Sequence, residues 1–177
     1  MLCAVVATDL RSGAEVRLTT GPAATALLAS ATIPGVFPPV RIGTHDLADG
    51  GVASNTPIHA AVDVGAERVI VLPTGFTCAA QIVPRGVLAI ALHALNLLIA
   101  HQLVRDMAWA STRAEAYVVP SLCPLDLSSY DFTRTGELID RARASTHAWL
   151  ESGGLARPGV GPGLMPHDHR ETAPSPP

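Results

Sequence analysis

An aspartate followed by two glycines, Asp49-Gly50-Gly51, is the part of the sequence best suited to chemistry. Glycine adopts backbone conformations that are closed to other residues, so the pair predicts a tight, exposed turn after the carboxylate. A serine hydroxyl is a weak nucleophile until a base within hydrogen-bonding distance takes its proton, and a carboxylate fixed by such a turn can be that base. Because Asp-Gly is also a common turn, the meaning of the tripeptide depends on the residues around it.

The residues on both sides of this tripeptide form a longer pattern. Ahead of it lies Ala29-Ser-Ala-Thr-Ile-Pro-Gly-Val-Phe-Pro-Pro-Val40, and after it come Val52, Asn55 and Pro57. The three prolines of the first segment fix φ and remove backbone donors, which excludes a helix or a central strand there. The whole stretch closely resembles the second half of the patatin-like phospholipase signature, in which a Ser–Asp dyad hydrolyses acyl esters.

The resemblance implies a role for several residues near the turn. By this resemblance Asp49 is the acid of the dyad, and Gly50 and Gly51 shape its turn. Asn55 occupies a position that we interpret as a loop brace and helix cap. The resemblance also implies that phospholipids or other acyl esters are the substrates, and that neither a metal nor another cofactor is needed.

The same resemblance extends over roughly residues 1–150 and includes Ala7-Thr-Asp9 and Ser12-Gly13. It implies an α/β fold, a three-layer α/β/α sandwich with a mainly parallel sheet. Apolar and polar periodicity supports alternating strands and helices. Predicted strands cover residues 2–8, 15–19, 40–42, 46–48, 68–72 and 116–119, and predicted helices cover residues 22–30, 57–64, 86–110 and 135–151.

The nucleophile of the dyad is missing from the sequence. No serine lies in a Gly-x-Ser-x-Gly elbow, the sharp turn that exposes a nucleophilic hydroxyl, and no Gly-rich oxyanion loop is present. Ser12 and Ser152 lack one or both glycines, and Ser30 and Ser54 are near Asp49 in sequence without the elbow. Residues 1–157 are therefore predicted to be the C-terminal part of a patatin-like hydrolase domain, without its N-terminal strands and inactive as given. The alternative is a non-catalytic lipid- or partner-binding remnant of the fold.

Composition and the N-terminal sequence bear on nucleic-acid binding and on the cellular location of the protein. The net charge of −3 and the aromatic content of 4% argue against a nucleic-acid-binding surface. The N-terminus has no basic region like that of a signal peptide, so we expect a cytoplasmic protein. Cys3, Cys78 and Cys123 are interpreted as small buried hydrophobes in a reducing compartment, with a disulfide pair or a thiol nucleophile as alternatives.

The longest predicted helix, residues 86–110, bears on membrane contact. Leucines and an isoleucine recur on one face, at Leu88, Leu92, Leu95, Ile99 and Leu103. This pattern is typical of a core helix, and the alternative is a helix that lies in the lipid interface and gives peripheral membrane contact. An incomplete sheet would also expose an apolar edge, through which the chain could self-associate.

Two features at the end of the chain carry no predicted chemistry. His167-Asp-His169 is interpreted as a solvated polar segment and not as a metal site. Residues 158–177 contain six prolines and little apolar content, so they are predicted to form a disordered tail.

Overall fold

The computed structural model describes residues 3–74, 85–123 and 132–159 and contains both helices and strands. The chain divides into two compact units, Met1–Val64 and Gly65–Pro177. The mixed α/β content confirms that part of the predicted fold class. The predicted domain boundary at residue 157 stays a prediction, and most of the predicted tail, residues 160–177, lies outside the described residues.

The first unit contains a four-stranded antiparallel sheet. Its strands are β1 (Val5–Asp9), β2 (Glu15–Leu18), β3 (Val40–Ile42) and β4 (His45–Asp49), in the spatial order β2-β1-β4-β3. The predicted hairpins β1–β2 and β3–β4 are confirmed. The prediction of a mainly parallel sheet is wrong for these strands, because β1 also pairs antiparallel with β4.

Small side chains let the first helix approach this sheet. In α1 (Ala23–Ser30) the buried residues are Ala26 and Ala29, and the core cluster joins Ala29 to Ala7 of β1 and Leu47 of β4. The sequence predicts a buried face made of Leu27, Leu28 and several alanines. This is confirmed for the alanines and wrong for the two leucines, which are 58% and 62% exposed. The alanine stripe packs here because it brings the helix backbone close to the strands.

Two short helices follow the sheet. The first, α2 (Gly51–Ser54), begins directly after the Asp49 turn and was not predicted, because two glycines favour a turn over a helix start. The second, α3 (Ile58–Asp63), agrees with the helix predicted from Pro57, and Pro57 itself takes the N-cap position.

The second unit contains a two-stranded parallel sheet. Strand β5 (Arg68–Val71) and strand β6 (Glu115–Val118) pair in parallel and are joined through α4 (Val87–Ala110). Helix α5 (Thr135–Glu151), predicted with these bounds, and a 3₁₀ turn at Gly154–Ala156 follow. The predicted parallel arrangement therefore holds for this pair of strands.

Helix α4 differs between its two halves. Leu103, Met107 and Ala110 are buried, so the core-helix interpretation is confirmed for the C-terminal half. In the N-terminal half, Leu95 of the predicted face is 41% exposed and Ile99 is half-buried, so the predicted burial is incomplete there. The side chains of residues 88 and 92 lie outside the described ones. Within the described residues, no helix has the length and apolar character needed to cross a membrane.

The cysteines differ from their favoured interpretation. Cys3 is exposed and unbonded, and Cys123 takes part in a disulfide. Neither is therefore the small buried hydrophobe that composition suggested. For Cys123 the alternative prediction, a disulfide, is confirmed. Cys78 lies outside the described residues.

Asp9, a buried aspartate at the end of β1, predicts how the stability of the first unit depends on pH. The backbone N–H of Arg11 donates to Asp9 Oδ1 at 3.0 Å, and His45 Nδ1 lies 3.1 Å from Asp9 Oδ2. These bonds, the backbone one first, hold the pKa of Asp9 below its ordinary value of 3.8. A lowered folded-state pKa means that the unfolded chain binds the proton first, so Asp9 stabilises the unit above pH 3.8 and loses this effect as the pH falls below it.

Asp9→Asn is accordingly expected to lower the stability of the protein at pH 6 and to have a smaller effect at about pH 2.5. Thermal unfolding followed by far-ultraviolet circular dichroism at both pH values measures the difference. Asp63→Asn, at an exposed aspartate of the same unit, serves as the control. A difference between wild type and Asp9→Asn that is the same at both pH values would contradict the assigned role.

Candidate active site

Asp49 is the last residue of β4, and its backbone is fixed by two other elements. Its N–H donates to the carbonyl oxygen of Thr32 at 2.8 Å, just after α1. Its own carbonyl oxygen accepts from Thr8 Oγ1 of β1, also at 2.8 Å. The chain therefore leaves the sheet at a position that both α1 and β1 determine.

The side chain of Asp49 is held by the turn that follows it. The Gly51 N–H donates to Asp49 Oδ1 at 2.7 Å, and the residue is half-buried. Within the described residues, Oδ2 makes no hydrogen bond. One carboxylate oxygen thus fixes the orientation of the group, while the other keeps lone pairs that can accept a proton.

The two glycines serve close packing and not an unusual backbone. Gly50 has φ −59°, and neither glycine has a positive φ. A Cβ on Gly50 would lie closer than 3.0 Å to the carbonyl oxygen of Val6, and one on Gly51 would lie 2.9 Å from Asp49 Oδ1. The prediction that glycine provides conformations closed to other residues here is therefore wrong. Glycine is needed at residue 50, where the close atoms are backbone, whereas at residue 51 they are the side-chain oxygens of Asp49 and Asn55.

Asn55 lies against the same turn. A Cβ on Gly51 would also be 2.9 Å from Asn55 Oδ1, so the amide group of Asn55 packs on the turn. Asn55 does not cap α3, whose N-cap residue is Pro57. Its role as a loop brace stays a prediction.

Thr8 is a site residue that the sequence reasoning missed. Its side chain is 1% exposed, and its Oγ1 donates to the Asp49 carbonyl while accepting from the Ala53 N–H at 3.1 Å. One hydroxyl therefore joins β1, the Asp49 turn and α2. The available signal was a polar residue inside an otherwise apolar strand pattern, which indicates a buried hydrogen bond.

Thr8→Val, which keeps the shape of the side chain and removes its hydroxyl, is expected to destabilise the first unit by about 1–3 kcal/mol, because the Asp49 carbonyl loses its buried donor. Urea unfolding followed by circular dichroism measures the change, and Thr8→Ser should retain most of the stability. Equal stability of Thr8→Val and wild type would show that the hydroxyl does not hold the turn.

A cleft opens beside the Asp49 carboxylate. It has a volume of about 360 Å³ and is bordered by the start of β1, the end of α1 and the segment from Asp49 into α2 and Pro57. All of these residues belong to the first unit. Asp49 therefore borders a space that another group can occupy.

Two serines line the cleft, but neither is engaged by Asp49. Ser30 and Ser54 both border it, and within the described residues neither hydroxyl hydrogen-bonds the carboxylate. Ser54 is 6% exposed, and its Oγ is buried without a partner. The other two candidate serines are used elsewhere: Ser12 Oγ accepts from the Ala14 N–H, and Ser152 Oγ donates to the Trp149 carbonyl.

The described residues contain no group of three or more His, Cys, Asp or Glu side chains that could hold a metal ion. The segment His167-Asp-His169, which was interpreted as solvated and not as a metal site, lies outside the described residues.

Comparison with known families supports the assignment suggested by the sequence around Asp49. A family model described as patatin-like phospholipase matches residues 2–62. The matched segment contains the antiparallel sheet, α1, the Asp49 turn and the cleft. Residues 2–62 are therefore similar to the patatin-like phospholipase family, and this match supports a patatin-like assignment.

Proposed function

We propose that this chain supplies the carboxylate of a Ser–Asp dyad in a lipid acyl-ester hydrolase, with Asp49 as the base. The observation that carries the proposal is the geometry of this residue: Oδ1 is fixed by the Gly51 N–H, and the group borders a cleft. A base must be held within hydrogen-bonding distance of the hydroxyl that it activates, so a pre-oriented carboxylate beside an open space is suited to this role.

In this proposal the serine and the oxyanion loop come from polypeptide outside residues 1–177. No serine of the sequence lies in a nucleophile elbow, and Ser30 and Ser54 do not hydrogen-bond Asp49. The additional polypeptide completes a three-layer α/β/α sandwich. Residues 1–177 alone are then inactive, because the loss of one oxyanion donor costs about 2.7–4 kcal/mol and the loss of the nucleophile removes the covalent route.

The experiment compares residues 1–177 with a version extended at the N-terminus by the polypeptide that carries Gly-x-Ser-x-Gly. Hydrolysis of short p-nitrophenyl esters and of phospholipid vesicles is measured for both. We expect activity only in the extended version, with loss of activity when its elbow serine is changed to alanine. Equal hydrolysis by residues 1–177 alone would contradict the proposal.

The second candidate function is a non-catalytic, lipid-binding remnant that meets the membrane peripherally from the cytoplasm. The N-terminal half of α4 favours it: Val87, Ile90 and Leu98 are each more than half exposed. Residues 87–104 also contain no Asp, Glu, Lys or Arg. An exposed apolar helix surface of this kind is typical of an interaction site.

Co-sedimentation of residues 1–177 with phosphatidylcholine vesicles tests this second function. Leu98→Glu should abolish sedimentation if α4 enters the interface, whereas Ala108→Glu adds the same charge on the exposed side of the C-terminal half and should not. Absence of wild-type sedimentation, with the chain folded and monomeric, would exclude lipid binding. Self-association through the sheet-edge strands β2 and β3 would instead appear as a dimer in sedimentation velocity.

A further inference from the structure

We propose that α1 and the proline-rich loop after it form the surface through which the first unit docks on a lipid surface. Four large apolar side chains are more than half exposed there: Leu27, Leu28, Val36 and Phe37. We call these four side chains the apolar surface. Lipid docking rests on the exposure, charge and backbone of this segment, whereas its consequence for catalysis rests on the proposed function.

Helix α1 directs its two leucines away from the sheet. Its buried residues are Ala26 and Ala29, and Ala29 belongs to the core cluster on the sheet. The side of the helix that carries Leu27 and Leu28 is therefore left in solvent. Exposed apolar groups of this kind are typical of sites that contact a protein or a membrane. The charge and the backbone of the segment distinguish between these two.

The segment carries no charge. Residues 19–40 contain no Asp, Glu, Lys, Arg or His, although charged residues make up 15% of the chain. Moving an ion from water into an apolar medium is costly, and this segment can enter a lipid interface without that cost. A protein partner, by contrast, would find no charge here that could fix its orientation. The absence of charge therefore favours lipid.

The backbone of the loop is also suited to apolar surroundings. Three of its positions are prolines, which have no N–H group: Pro34, Pro38 and Pro39. The N–H groups of Val36 and Phe37 both donate to the Ile33 carbonyl oxygen at 3.1 Å. Among the described residues, Gly35 is then the one position of 34–39 whose N–H has no partner. A backbone donor without a partner is costly in lipid, and a docking strand would need such donors, so the loop favours lipid over a strand.

The tip of the loop is formed before any partner binds. Gly35 has φ +81°, and the hydrogen bond from the Val36 N–H to Ile33 closes the turn. With Pro34 before the glycine, these are the features of a type II turn, whose third residue needs a positive φ. Because the turn already holds Val36 and Phe37 in solvent, docking loses little conformational entropy.

The same segment borders the Asp49 cleft. The Thr32 carbonyl accepts from the Asp49 N–H at 2.8 Å, and the Ser30 carbonyl accepts from the Gly50 N–H at 3.2 Å. Ser30 also lines the cleft. Docking through α1 and its loop would therefore hold the cleft at the lipid surface, where the acyl esters of the proposed function are found.

Co-sedimentation of residues 1–177 with phosphatidylcholine vesicles tests the docking. Because the apolar surface has no charge, partitioning should change less than threefold when about a third of the lipid is replaced by phosphatidylglycerol. It should also not weaken when NaCl is raised from about 0.1 to 1 M. Absence of sedimentation by the folded chain would overturn the proposal. Loss of sedimentation at high salt would indicate electrostatic binding and would overturn it as well.

Glutamate substitutions test which side chains enter the lipid. Phe37→Glu and Val36→Glu should each weaken partitioning at least tenfold. Val64→Glu is the matched control, because Val64 is a similarly exposed valine of the same unit outside the segment, and its effect should be less than twofold. Thermal melts followed by circular dichroism check that the variants are folded. Equal effects of Phe37→Glu and Val64→Glu would refute docking through the loop.

Amide hydrogen exchange locates the contact. Vesicles should slow exchange in peptides that cover residues 33–40 at least fivefold, and this protection should persist in Leu98→Glu, which alters the exposed part of α4. Protection of α4 without any in residues 33–40 would place the lipid contact on α4 and overturn the proposal. So would a dimer in sedimentation velocity that Phe37→Glu dissociates, since the occupant would then be a second copy.

The docking surface and the dyad fail in different ways. In an active N-terminally extended version, Phe37→Glu should lower hydrolysis of vesicle phospholipid at least ten times more than hydrolysis of a soluble p-nitrophenyl ester. Equal losses for the two substrates would contradict the docking surface alone. Vesicle binding by wild type, with no ester hydrolysis by the extended version, would leave the docking surface intact and contradict the dyad. Asp49→Asn should bind vesicles as wild type does.

Discussion

Asp49→Asn, introduced into an N-terminally extended and active version of the protein, is expected to lower kcat/KM for ester hydrolysis by about 10²–10⁴-fold. The amide nitrogen or oxygen of asparagine cannot take the proton of the serine hydroxyl. The fold should be retained, since the asparagine Oδ1 can still accept from the Gly51 N–H, as Asp49 Oδ1 does at 2.7 Å. Steady-state kinetics with short acyl esters and a thermal melt of the same samples measure both effects.

Asp63 offers a matched control for this substitution. It lies in the same unit, is exposed, and forms a salt bridge with Arg17 at 2.8 Å away from the Asp49 turn. Asp63→Asn removes the same charge and should change kcat/KM less than twofold, because exposed ion pairs contribute little. An extended Asp49→Asn enzyme that kept wild-type activity would refute the assignment of Asp49 as the base.

Gly50→Ala is expected to have the largest effect on stability among single-methyl additions at the site. The new methyl group would lie closer than 3.0 Å to the Val6 carbonyl oxygen, which is backbone and cannot move aside as a side chain can. The strain must separate β1 from the Asp49 turn, and overpacking of this kind costs about 1–3 kcal/mol. Amide exchange of peptides that cover β1 should therefore become roughly 5- to 150-fold faster, at 1.4 kcal/mol per factor of ten.

Gly136→Ala is the control for the same chemical change. Gly136 is in α5, and a Cβ there would have no atom within 4 Å. Alanine has a higher helix propensity than glycine, so this variant should be neutral or up to about 1 kcal/mol more stable. Unchanged exchange in β1 of Gly50→Ala would show that the strand and the turn tolerate a wider separation than the structure indicates.

Local patterns in the sequence were sufficient to predict the hairpins and most helices. The strand pairs around residues 10–14 and 43–44 follow from short turn segments between apolar runs, which is a local signal. The bounds of α5 follow likewise from its composition. The position of Asp49 just before a turn was also predictable, because two glycines follow it directly, but the residue is half-buried and not exposed as predicted.

The pairing of distant strands was not predictable from the same signals. Whether β1 lies beside β4, and in which direction, depends on contacts more than 35 residues apart, and a short buried strand pattern is the same for parallel and antiparallel neighbours. The family resemblance gave a parallel sheet, which describes only β5 and β6 among the described strands.

The supporting residues of the site were hidden for a related reason. The hydrogen bond from Thr8 to the Asp49 carbonyl oxygen, and the buried Ser54 hydroxyl without a partner, exist only in the folded chain. Leu27 and Leu28 illustrate a different error, in which these leucines were predicted to share the buried face with the alanines of α1, although they are exposed and the alanines pack against the sheet. Residue type alone does not determine which side of a short helix meets a neighbouring element.

The division into two units has a spectroscopic consequence. Residues 1–64 contain neither tryptophan nor tyrosine, while Trp109, Trp149 and Tyr117 all belong to the second unit. Intrinsic tryptophan and tyrosine fluorescence therefore reports on unfolding of the second unit and does not detect unfolding of the unit that carries Asp49. Phe37 is 56% exposed, so Phe37→Trp would place a chromophore in the first unit without filling its core, and would make its unfolding visible in the same sample.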